Sequence, residues 1–87
     1  MKFTDRQIKA LKPKKERYEV WETNGKGFGI RVSSTGRKSF IFLYKFQGTS
    51  RRITFGNYPE MSLADAHAAH AKSRQLLEQG NDPATIE

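Results

Sequence analysis

No cysteine occurs among these 87 residues, which excludes disulfides and thiolate metal sites and suits a reducing cytoplasm. No apolar run approaches the roughly 20 residues that cross a bilayer, and the opening MKFTDRQIKA has no signal-peptide apolar stretch. Both absences set the expectation of a cytosolic protein. Length is short too: a chain of 87 residues is one domain that buries about 60% of its unfolded surface, too little for an ordinary multi-layer enzyme core. Acidic residues are scarce where basic ones gather. Residues 1–56 hold 14 lysines and arginines against 4 aspartates and glutamates, whereas residues 57–87 hold 2 against 5. The formal net charge is +7, and its placement predicts that the first two thirds face a polyanion while the last third has another task.

What is present organises into a small α+β fold. Thr4, followed three residues later by Gln7, reads as a capping box; Ile8 and Leu11 add an apolar stripe, and Lys12-Pro13 ends it. A short N-terminal helix over about residues 5–11 follows. After the basic stretch KPKKER, the residues Tyr18, Val20 and Trp21 suggest a brief extended piece before an Asn24-Gly25 turn. From Gly27 the pattern turns regular. Phe28, Ile30 and Val32 alternate with Gly29, Arg31 and Ser33; the strand of residues 38–46 carries SFIFLYKF; Ile53 and Phe55 share a face in a third strand. Three strands joined by short turns predict an antiparallel meander whose inner face is aromatic. Beyond a Gly56-Asn57-Tyr58-Pro59 turn, Ser62 is an N-cap, Gly80 a C-cap, and Leu63, Ala66, Ala69, His70, Ser73, Leu76 and Leu77 form the stripe of a helix that lies on that aromatic face.

The other sheet face is then uncovered. It carries Gly29, Arg31 and Ser33, then Ser39, Ile41, Leu43 and Lys45, then Arg52 and Thr54. Arginines for guanine edges or phosphates, hydroxyls for phosphates, and apolar groups for thymine methyls make up a DNA-reading mixture, and a small sheet fits a major groove. Arg31, Ser39, Lys45, Arg52 and Thr54 are the expected sheet-face contacts, although an exposed antiparallel face is ordinarily polar anyway. Lys12, Lys14, Lys15, Lys26, Arg37, Lys38 and Arg51 lie in or beside loops, where they are placed to grip phosphates or simply to carry surface charge.

Other motifs carry less. Asn24-Gly25-Lys26-Gly27-Phe28-Gly29 leads into a strand, where a phosphate loop needs a following helix. His67 and His70 stand three apart on a helix, but no cysteine or convergent carboxylate completes a metal site. Tyr18, Tyr44 and Tyr58 have no assignable basic helper, so no catalytic residue is expected. An RNA platform would expose the aromatics that the core requires.

Together these residues resemble the N-terminal, arm-type DNA-binding domain of phage and genomic-island integrases, which are tyrosine recombinases. The matching words are FTDRQIKALKP at 3–13, GFGIRV at 27–32, GRKSFIFLYKFQG at 36–48, RRITFGNYPEMSLADA at 51–66 and QGNDP at 79–83. Two departures stand out: Phe28-Gly29 where many relatives resemble Leu-Tyr, so an outward aromatic is missing, and Ile41 and Leu43 where basic residues are frequent. The resemblance implies double-stranded DNA carrying arm-type repeats as partner and contact with other integrase protomers through further domains, in the cytoplasm and on the nucleoid of a bacterial host. It implies no cofactor, small-molecule substrate or membrane. Residues 1–83 are expected to be the arm-type domain, and 84–87 the start of a linker toward core-binding and catalytic domains, leaving this piece without strand-cleaving chemistry. A competing expectation makes the acidic-leaning helix and C-terminal tail a protein-docking element with non-specific DNA affinity.

Overall fold

The computed structural model describes residues 3–23 and 25–84. Asn24 of the expected turn and residues 85–87 of the expected linker lie outside them. The element order is α1 (Asp5–Ala10), β1 (Tyr18–Trp21), β2 (Phe28–Val32), β3 (Lys38–Phe46), β4 (Thr49–Tyr58) and α2 (Leu63–Glu78).

The fold is α+β with an antiparallel sheet and a C-terminal helix, but the sheet has four strands in the order β1-β2-β3-β4 rather than three. The added strand is the extended piece after the basic stretch. Tyr18 pairs with Val32 and Val20 with Ile30, which puts both on the inner face, while Glu19 and Trp21 stand opposite Arg31 and Gly29 on the outer face. A strand of four residues has little periodicity of its own. Its place is set by what it can pair with.

β4 is also longer than the Ile53–Phe55 pattern implied, running through Gly56 and Asn57 to Tyr58, where a turn was expected. Phe40 pairs with Gly56 but Ile41 pairs with Thr54, leaving Phe55 as the extra residue of a bulge. That insertion resets the alternation. Phe55 stacks on Phe42 at 6.2 Å and Tyr58 meets Phe40 edge-on at 6.2 Å, so both face inward, while Asn57 points outward opposite Ser39.

Phe28 is the centre of the core. Its ring lies within 5.0–6.4 Å of Phe3, Phe40, Phe55, His67 and His70, each such pair worth about 0.5–1.5 kcal/mol beyond area burial. The helix α2 approaches through Ala66, fully buried, whose small side chain allows the His67 and His70 rings to settle on the sheet. Both helix starts follow the sequence: Thr4 accepts the Gln7 N–H at 3.2 Å, and Ser62 accepts that of Asp65 at 3.1 Å. At the end of α2, the N–H groups of Gly80 and Asn81 donate to the carbonyls of Leu77 and Leu76, with Gly80 at φ +83°. This is the Schellman arrangement that favours glycine. No helix among the described residues is long and apolar enough to cross a membrane.

Candidate nucleic-acid interface

With α2 on the inner face, the register decides what the outer face presents. Arg31 stands opposite Ser39, Ile41 opposite Thr54, Leu43 opposite Arg52, and Lys45 opposite Ser50. The five sheet-face residues Arg31, Ser39, Lys45, Arg52 and Thr54 are therefore brought onto one surface. Ser39 donates to the Asn57 side chain at 2.8 Å, and Lys45, Arg52 and Thr54 are exposed.

Four outer-face residues went unassigned in the sequence, Glu19 and Trp21 of β1 and Asn57 and Ser50 of β4. Glu19 receives Arg31 through Nε at 3.3 Å and Nη2 at 3.1 Å, and Arg52 through Nη1 at 2.8 Å, all on the single oxygen Oε2. Arg52 starts on β4 and Glu19 on β1, with two strands between, a width of roughly 14 Å at ordinary strand spacing. Arg52 must therefore lie flat across the sheet. On the same face Ile41 points outward yet is 0% exposed. Trp21 closes the other side of the same spot: a Cβ added to Gly29 would sit 2.5 Å from the Trp21 ring. The outward aromatic that Phe28-Gly29 lacks is thus supplied from the neighbouring strand, with Trp21 37% and Leu43 40% exposed. Asn57 is hidden from sequence by the bulge. For Glu19 and Trp21 the signal was alternation with Tyr18 and Val20.

The loop cations divide between the two ends of the sheet. Lys12, Lys14 and Lys15 lie in the exposed connection from α1 to β1, where Tyr18 Oη donates to the Lys12 carbonyl at 2.6 Å and Lys14 Nζ sits 4.6 Å from the Tyr18 ring centre. Pro13 comes near Gly36, so this connection runs beside the β2–β3 turn that holds Arg37. Lys26 is exposed in the β1–β2 turn at the opposite end. Lys38 and Arg51 share the inward parity of Phe40 and Tyr44 and are engaged there: Lys38 Nζ donates to the Lys9 carbonyl at 3.1 Å, and Arg51 Nε meets Asp82 Oδ2 at 3.2 Å.

The tyrosines and histidines have structural partners. Tyr44 Oη donates to Asp82 Oδ1 at 2.5 Å; burial first, and then that bond, pushes the phenol up to about 12, while the same bond holds the Asp82 carboxyl below its usual range. Tyr58, its hydroxyl on Asp5 at 3.2 Å, is raised as well. Neither phenol is disposed to ionise as a nucleophile. His67 Nε2 lies 3.2 Å from both Glu22 oxygens, whereas His70 packs between Phe28 and Phe42. Among the described residues no group of His, Cys, Asp and Glu is placed to hold a metal ion.

Residues 3–87 match the family described as the arm DNA-binding domain. The chain is 39% identical over 83 residues to prophage integrase IntA of Escherichia coli (strain K12), covering 93% of this chain and 20% of that protein. It is 33% identical to the integrase of Enterobacteria phage P4, covering 100% of this chain and 20% of the relative. To the integrase of Shigella phage Sf6 it is 35% identical, covering 93% and 20%. The chain spans about a fifth of the length of these relatives.

Proposed function

We propose, for a chain that belongs to the arm DNA-binding domain family, that it binds arm-type repeats in double-stranded DNA by laying the outer sheet face in the major groove. The observation that carries this reading is the pairing of an uncovered face bearing Arg31, Ser39, Lys45, Arg52 and Thr54 with basic loops at both ends of the sheet. Lys12, Lys14, Lys15 and Arg37 at one end, and Lys26 at the other, then grip the phosphates that border it, while Lys38 and Arg51 hold the domain's own parts together.

The relatives' names support a role in DNA integration and excision by site-specific recombination, in a bacterial host. This domain serves that reaction by tethering. In this reading strand cleavage and contact with other integrase protomers belong to core-binding and catalytic domains of the integrase rather than to this one. Fluorescence anisotropy tests the reading with a labelled duplex carrying a repeat from beside the parent gene, against a scrambled duplex of equal length. A preference for the repeat that persists at physiological salt supports sequence reading. Equal binding to both, abolished by salt, would leave a non-specific polycation and favour docking of α2 on other proteins.

A further inference from the structure

Glu19, on the edge strand β1, is an acidic residue on a surface whose other charged side chains are cations, and its placement there is specific. One oxygen, Oε2, accepts two hydrogen bonds from Arg31 and forms an ion pair with Arg52, so it gathers two arginines from two different strands. Glu19 and Arg31 are partly exposed, at 26% and 25%, and Arg52 is exposed at 39%. As a stabilising device such a partly exposed pair is worth little. Its geometry matters more.

The two arginines are used differently. Arg31 spends its Nε–Nη2 edge on the carboxylate. Arg52 is held by Nη1 alone, at 2.8 Å, which leaves its own Nε–Nη2 edge without a partner among the described residues. That edge presents two parallel N–H groups, the fork that matches the O6 and N7 acceptors of guanine. An unrestrained arginine on β4 would sample many rotamers and engage any phosphate; one stretched across the sheet is already oriented before DNA arrives. The same face carries the buried Ile41 and, over Gly29, Trp21.

We propose that Glu19 is a positioning residue that holds Arg52 across the sheet with its open fork directed at a guanine, and that it does so at the expense of non-specific phosphate binding. This rests on the sheet-face reading above. Replacing Glu19 by Gln frees both arginines for phosphates, so affinity for arbitrary duplex rises, while discrimination in favour of the preferred sequence falls by about tenfold, within the range one bidentate arginine–guanine pair supplies.

The test is selection of binding sites from a randomised duplex library by wild type, Glu19→Gln, Arg52→Lys, and Glu78→Gln as a control that removes the same charge from α2. The expected result is a consensus with a guanine that wild type and Glu78→Gln share and that Glu19→Gln and Arg52→Lys both lose. Arg52→Lys keeps the charge without the fork, so its salt dependence stays that of wild type, while that of Glu19→Gln steepens by about 0.9 in log K per additional phosphate engaged. A wild type that selects a consensus which Glu19→Gln selects equally well overturns the inference alone. A wild type that selects no consensus overturns the sequence-reading proposal and this inference with it.

Discussion

The two faces of β3 differ in what fixes their side chains. On the inner face Phe40, Phe42 and Tyr44 are held by burial, within ring distances of 5.0–6.2 Å of Phe28, Phe55, Tyr58 and one another. On the outer face Ile41 is buried but Ser39, Leu43 and Lys45 are open or partly open, Ser39 is tied to Asn57, and around them Glu19 pairs with Arg31 and Arg52 on the flanking strands. The first arrangement is expensive to disturb, because a cavity in so small a core has nothing to refill it. The second is cheap to disturb in stability and, if the outer face binds DNA, expensive in affinity. One strand thus serves the core with its even-numbered residues and, under the proposed function, would serve recognition with Ser39, Leu43 and Lys45.

The largest expected effect is on the inner side. Phe28→Ala removes the ring on which five others converge and should cost about 3–5 kcal/mol, enough to leave a domain of this size largely unfolded in a urea titration followed by circular dichroism. Gly27→Ala should follow, lowering the urea midpoint, since Gly27 has φ +90° and an added Cβ would collide with the Leu43 carbonyl oxygen. A variant at either position that unfolds like wild type would break the contrast.

Substitutions on the outer face should invert the pattern. Arg52→Ala should reduce affinity for a preferred duplex by about 1–3 kcal/mol while changing the stability by no more than about 1 kcal/mol. Lys45→Ala should weaken binding to all duplexes and lower the salt slope by about 1. Duplex anisotropy and thermal melts on the same samples read both quantities. If both variants bind as wild type, the sheet-face account is wrong.

A smaller effect concerns pH. Burial holds His70 below its ordinary value of 6.5, so the folded state keeps the ring neutral while the unfolded chain protonates it more readily. Stability from this source is fully present above about pH 6.5 and declines as the pH falls through that value toward the folded one. His70→Gln should flatten that decline in melts taken between about pH 7 and 5. Asp82, depressed chiefly by the Tyr44 hydrogen bond, adds stability above its ordinary 3.8 that is lost at lower pH, a separate acid window that Tyr44→Phe should shrink.

Much of this was legible in the chain because it is local. Caps such as Thr4 and Ser62, the αL glycine at 80 and the alternation of Phe28, Ile30 and Val32 each specify their own neighbourhood. The outward parity of Arg31, Ser39, Lys45, Arg52 and Thr54 follows from the same alternation. What stayed hidden is non-local. Tyr18, Val20 and Trp21 announce a brief extended piece, but its membership of the sheet depends on the edge that β2 offers it. The bulge at Phe55 reset the face of everything after it, so Asn57 and Tyr58 read as turn. The tie between Glu19 and Arg52 joins residues 33 apart in sequence on opposite edges of the sheet; without the strand order, no spacing rule connects them.

The most direct test of the central claim is an amide NMR titration of the isotopically labelled domain with the duplex selected by the wild-type protein. The account predicts that shifts concentrate on Arg31, Leu43, Lys45 and Arg52 and on the loops around Lys14, Lys26 and Arg37, with the exposed side of α2 silent. Shifts confined to α2, with the outer strand positions unmoved, would contradict it.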